Sequence, residues 1–73
     1  MARIEVKAEV TGKVWKMETA LGAKVEANEP LMIVESMKME IPVCCEENCT
    51  VVELLVGEGD AIEDGQVVAI VEI

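Results

Sequence analysis

The sequence predicts an all-β domain: a flattened barrel or sandwich of about eight short strands with quasi-two-fold symmetry. Three observations carry that prediction. The chain repeats itself, because a shift of 37 lays residues 1–36 on 38–73 without a gap, and nine of those 36 pairs are identical. The identical pairs are Ile4/Ile41, Val6/Val43, Glu9/Glu46, Val14/Val51, Gly22/Gly59, Glu26/Glu63, Ile33/Ile70, Val34/Val71 and Glu35/Glu72. Val25/Ile62, Leu31/Val68, Met17/Leu54 and the turn pair Asn28/Gly65 are conservative, which marks two copies of one supersecondary unit. The apolar runs are short and rich in β-branched residues, with no helical period in any of them. Breakers punctuate both copies: Gly22 and the stretch ending at Pro30 in the first, then Gly57, Gly59 and residues 63–66 in the second. Neither copy is long enough to bury a core alone, whereas two packed face to face are.

Taken in order, the first copy reads as strands at Ile4–Lys7, Lys13–Met17 and Leu31–Glu35, with a very short strand at Val25. The second copy repeats them at Ile41–Val43, Thr50–Val56 and Val67–Ile73, with Ile62 in the place of Val25. All of residues 1–73 belong to one small domain.

Composition narrows the function. Six basic against fifteen acidic residues leave a net charge of −9. Nucleic acids and anionic membrane surfaces both reward Lys and Arg clusters, so neither is expected as a partner. No stretch approaches the roughly 20 apolar residues of a bilayer span, and the first residues lack the apolar run of a secretory signal. The expected compartment is therefore the cytoplasm, and the expected state a monomer that docks transiently on a partner with a basic face. Cys44, Cys45 and Cys49, in a chain without histidine, suit neither a disulfide framework nor zinc and read as small packing residues. Cys44 and Cys45, as neighbours on a strand, would point to opposite faces.

The stretch that breaks local rules is Glu35-Ser36-Met37-Lys38-Met39-Glu40. Flanking β-type runs require a tight hairpin, and a two-residue turn at Met37-Lys38 pairs Ser36 with Met39 and Glu35 with Glu40. Such turns need positive φ and favour Asn-Gly, Asp-Gly or Gly-X, so Met-Lys is a poor choice for structure alone. It also exposes a large apolar side chain and sets two carboxylates across from each other. Local rules broken together mark function. Lys38 falls at the junction of the two copies, with Met1 as its counterpart, so the lysine and the chain ends are expected at opposite ends of the domain. The chain has no Ser/His/Asp set and no phosphate-cradling loop, and Glu35 and Glu40 at an exposed tip have nothing to act on. A projecting lysine then serves either as a surface charge or as an acceptor for covalent attachment, as in biotin and lipoamide carriers.

The run Glu35-Ser36-Met37-Lys38-Met39-Glu40-Ile41-Pro42 closely resembles the biotin attachment site of biotinyl domains, whose hallmark is Met-Lys-Met with the lysine biotinylated. Gly22 falls in the Gly-X-X-Val turn upstream, and Gly57-Glu58-Gly59-Asp60 with Asp64-Gly65-Gln66 resembles the repeated turn of the second half, so the likeness covers nearly the whole chain. The resemblance implies the biotinyl/lipoyl-domain fold, a barrel-sandwich hybrid. It implies biotin in amide linkage to Lys38, with Met37 and Met39 as flanking recognition residues for biotin protein ligase and the carboxylase partners. Glu35 and Glu40 lie nearby, and Glu35 matches an acidic residue that lipoyl domains often carry three before the lysine. The implied role is a non-catalytic carboxyl carrier of a biotin-dependent carboxylase, of the acyl-CoA (for example acetyl-CoA) carboxylase type. It would move carboxyl groups from a biotin carboxylase to a carboxyltransferase. The alternative is a lipoyl carrier with covalent lipoate, moving acyl or aminomethyl groups in an oxidoreductase complex, although lipoyl sites usually read Asp-Lys-Ala. A third reading is a plain β-sandwich interaction module with an unmodified Lys38.

In length the sequence resembles stand-alone attachment proteins. It departs from larger carriers in lacking the "thumb" insertion and the long N-terminal region. Cys49, where the first half has Gly12, is expected to alter the second-half turn slightly, and Trp15 is expected in core or edge packing rather than against the biotin ring.

Overall fold

The computed structural model describes residues 2–73. Eight strands follow one another: β1 (Arg3–Lys7), β2 (Gly12–Met17), β3 (Lys24–Val25), β4 (Pro30–Ser36), β5 (Met39–Cys44), β6 (Cys49–Leu54), β7 (Ala61–Ile62) and β8 (Val67–Glu72). They form two antiparallel four-stranded sheets, in the orders β1-β8-β6-β3 and β5-β4-β2-β7. No helix is present among the described residues.

The 37-residue shift of the sequence converts one sheet into the other, pair by pair. Lys13↔Glu35 and Val14↔Val34 in the first become Thr50↔Glu72 and Val51↔Val71 in the second. The bulge between Val14 and Lys16 recurs between Val51 and Glu53. Side-chain bonds follow the same rule: Asp64 N–H donates to Thr11 Oγ1 at 3.1 Å, and Ala27 N–H to Asn48 Oδ1 at 2.8 Å. The turn pair Asn28/Gly65 is explained by backbone geometry, with φ of 67° and 87°. Glycine meets no Cβ penalty there, and asparagine tolerates the left-handed region better than most residues.

The core lies between the sheets. Inward positions on the central strands carry Val14, Leu31, Met32, Val34, Val51, Val68 and Val71, all essentially inaccessible. Burying each such side chain stabilises the fold by roughly 1.5–3 kcal/mol. Cys45 and Cys49 are buried in the same cluster, and Cys44 is half-buried. Burial, with the Cys45 thiol beside it, pushes Cys49 up to about 11, so at neutral pH it is a packing thiol.

Two sequence expectations need correction. Strand β6 covers Cys49–Leu54 rather than Thr50–Val56, because the chain beyond Leu54 bends into a turn held by Gly57 N–H on Asp60 Oδ2 at 2.8 Å. Cys49 keeps with Val25 the register that Gly12 keeps with Ile62. Trp15 is not in the core: it is the extra residue of the β2 bulge, beyond the two residues of β2 that β7 covers, and it stands 51% exposed on the outer face. Val14 occupies the inward position beside it, and both Trp15 and Lys16 are left outside.

The body measures 35 × 18 × 18 Å. At one end the chain termini meet, with Ile73 N–H donating to Ala2 O at 2.9 Å. Strand β1 leads away from that end, and the residues after it run to Gly12 beside the β4–β5 hairpin. The hairpin and the chain ends thus occupy opposite poles. Met1, the counterpart of Lys38 under the shift, lies outside the described residues.

Candidate functional site

Strands β4 and β5 pair along most of their length, and their ladder closes with Glu35↔Glu40 and Ser36↔Met39. Only Met37 and Lys38 remain for the turn, as the spacing of the sequence predicts. Their φ values are 50° and 66°, so two consecutive non-glycine residues sit in the left-handed region. This is the geometry of a type I′ hairpin turn, whose twist matches the flanking strands. Each such residue costs about 1–2 kcal/mol relative to glycine, and the ladder on either side holds it there.

A tight neck fixes the root of this turn. Ser36 Oγ donates to Thr11 O at 2.8 Å. Gly12 lies so close to the hairpin that a Cβ there would collide with the Glu35 carbonyl oxygen and come within 3.2 Å of Ser36 Cβ. Thr11, through its hydroxyl, also receives the Asp64 N–H, so the neck is tied to the turn before β8. Sequence reading missed Thr11 and Gly12 as supports of the site. The one available signal was that Gly12 breaks the repeat, facing Cys49 rather than another glycine.

Above the neck the side chains are presented to solvent. Met37 is 92% and Met39 63% exposed, which rules out packing as the reason for either methionine. Lys38 is exposed as well. Among the described residues the ion pairs are Arg3–Glu72 at 3.5 Å and Lys16–Glu18 at 3.4 Å, so the Lys38 ammonium is held in none of them. Glu35 and Glu40 stand opposite one another on the outer face just below the turn. One strand over, Trp15 lines a recess of about 270 Å³ with Lys13, Val14, Glu35 and Gly59.

The arrangement is a primary amine on a braced, projecting turn, flanked by two exposed thioethers and backed by two carboxylates. An amine so placed can be acylated without disturbing the core. That chemistry fits a cofactor held through an amide bond; the residues at the tip offer no enclosed pocket chemistry of their own.

Comparison with known proteins bears on this geometry. A model of the family described as "Biotin-requiring enzyme" matches residues 5–71. The biotin/lipoyl attachment protein of Bacillus subtilis (strain 168) is 36% identical over 62 residues, covering 85% of each chain. Urea amidolyase of Saccharomyces cerevisiae is 31% identical over 67 residues; the match takes in 92% of this chain but spans only 4% of that protein's length. Among solved structures, the urea carboxylase of Kluyveromyces lactis superposes with a TM-score of 0.90 at 33% identity, over 99% of this chain and 6% of the carboxylase.

Proposed function

The chain belongs to the biotin-requiring enzyme family, and from that membership we propose that it is a carboxyl carrier bearing biotin in amide linkage on Lys38 Nζ. The observation that carries the reading is the strained Met37-Lys38 turn, which places an unpaired lysine at the far pole from the chain ends. The relatives named above point the same way by their names, a biotin/lipoyl attachment protein and a urea carboxylase.

Biotin, once bound, supplies a ureido nitrogen that takes up and releases a carboxyl group. The protein's own residues do the rest. Lys38 Nζ attacks the activated carboxyl carbon delivered by biotin protein ligase, and the amide forms as the bond to the activating group (AMP, from ATP) breaks and Nζ releases a proton. Its four-carbon stem then gives the group a sweep on the order of ten ångströms. Tethering holds it near a neighbouring active site at an effective concentration of about millimolar. The Ser36–Thr11 bond and the close approach of Gly12 keep the root of the arm still. Met37 and Met39 offer apolar contacts to the ligase and to the biotin carboxylase and carboxyltransferase between which the carrier moves. The net charge of −9 suits docking faces rich in Arg and Lys. The domain contributes positioning rather than catalysis, and the acceptor, an acyl-CoA or another small molecule, is chosen by the transferase.

A second reading, lipoate on the same lysine, is favoured by one observation: the Bacillus relative is named for both groups. The Met-Lys-Met triplet speaks for biotin.

Incubation with purified biotin protein ligase, ATP and labelled biotin tests the proposal. Wild-type protein is expected to gain one biotinyl group by intact mass, and Lys38→Arg to stay at background. Equal labelling of Lys38→Arg overturns the assignment, and a lipoyl adduct on protein isolated from its own cell would favour the second reading.

A further inference from the structure

The methionines among the described residues are sorted by the fold. Met32 is fully buried on β4, and Met17 packs against the core from β2. Met37 and Met39 flank the lysine at 92% and 63% exposure. Both side chains stand largely in solvent in the free protein, and neither belongs to the core cluster. A thioether on the surface is a substrate for peroxides, whereas one in the core is reached only on unfolding.

We propose that Met37 and Met39 form an oxidation site that gates the carrier: conversion of their thioethers to sulfoxides blocks recognition of Lys38, and reduction restores it. The inference rests on the carrier reading above. The step balances simply. A hydroperoxide or hydrogen peroxide transfers one oxygen atom to sulfur, forming the S–O bond as the O–O bond breaks, and leaves as alcohol or water. Sulfur is oxidised by two electrons and the peroxide reduced by two. The fold is untouched, because neither side chain contributes to the core and the turn is held by the β4–β5 ladder and the Ser36–Thr11 bond. What changes is the surface beside the lysine. Two flexible apolar groups become polar, chiral S=O groups, and a partner that buried the thioethers must now desolvate a strong acceptor.

The thiols do not supply the same switch. Cys45 and Cys49 are buried, and the half-buried Cys44 lies at the end of β5 away from the turn. A thiol reductant therefore separates the two chemistries, since it returns cysteine sulfenic acid and disulfide to thiol and leaves methionine sulfoxide in place.

The experiment treats the full chain with hydrogen peroxide, then with dithiothreitol, and reads sulfoxide at each methionine by peptide mass. Ligase-catalysed incorporation of labelled biotin is then followed. Met37 and Met39 are expected to oxidise before Met17 and Met32, and kcat/KM to fall about tenfold, the effect of losing one buried apolar anchor. Treatment with methionine sulfoxide reductases is expected to restore the rate. In the M37L/M39L double variant the ratio of treated to untreated kcat/KM is expected to stay near one. Unchanged kcat/KM with both sulfoxides confirmed overturns the proposal, as does an equal loss in the double variant. Failure of untreated wild-type protein to take up any biotin strikes the carrier reading itself, and this proposal falls with it.

Discussion

At one pole of the molecule β4 passes into β5 through Met37 and Lys38; at the other, the ladder between β8 and β1 ends at the Ile73–Ala2 hydrogen bond, with no turn joining the strands. The two poles share their ladders, their bulges and their valine core, so these features are what two packed copies require. Most of the aligned residue pairs nevertheless differ in identity, and several of those differences gather around the hairpin. Glu35/Glu40 at the hairpin pole corresponds to Glu72/Arg3 at the other, where the carboxylate is answered by a guanidinium at 3.5 Å. Gly12 corresponds to Cys49, Trp15 to Val52 and Ser36 to Ile73. These four departures lie within a few residues or one strand of Lys38. The shared registers and bulges specify the fold, and these local departures shape the hairpin pole.

The largest effect that would sharpen this contrast is expected at Gly12. Gly12→Ala must push the Glu35 carbonyl aside, and should cost about 2–3 kcal/mol in urea unfolding, whereas Cys49→Ala at the matching place only trims a buried sulfur, at about 1 kcal/mol. Equal losses would break the comparison, because the neck would then be no tighter than its counterpart.

An intermediate effect is expected in the turn. Met37→Asn places a residue that tolerates positive φ where the backbone has φ of 50°, and should raise stability by about 1 kcal/mol, or Tm by about 4–8 °C. Biotin loading should slow in the same variant. A gain in stability without a loss in loading would mean that Met37 serves neither role assigned to it.

The smallest effect concerns charge. Glu40→Arg copies the Arg3–Glu72 pair onto the hairpin pole and should stabilise by no more than about 0.5 kcal/mol, a gain that 1 M salt removes. A larger gain, or one insensitive to salt, would show that the Glu35–Glu40 opposition is more costly than its exposed position suggests.

Much of this was legible in the sequence, for identifiable reasons. The shift of 37 carries directly into every ladder register, because both copies obey the same alternation and hold the same bulge. The turn at Met37-Lys38 follows from the spacing of two β-type runs, and its positive φ from the hairpin twist. Core packing was one expectation for Trp15, yet alternation from the inward Val14 already places it outside. The neck was hidden for a different reason. That Gly12 approaches Glu35, and that Ser36 reaches Thr11 across 25 residues of chain, depends on how the loop after β1 crosses to β2. No local pattern records that crossing.

The hydrogen bond between Ile73 and Ala2 makes the seam at the chain ends a hairpin that lacks only its turn. Because Ala2 and Ile73 already lie within one hydrogen bond of each other, a short linker joining them would close the backbone into a ring without stretching either sheet. A molecule cyclised in that way would offer no end for an exopeptidase to grip.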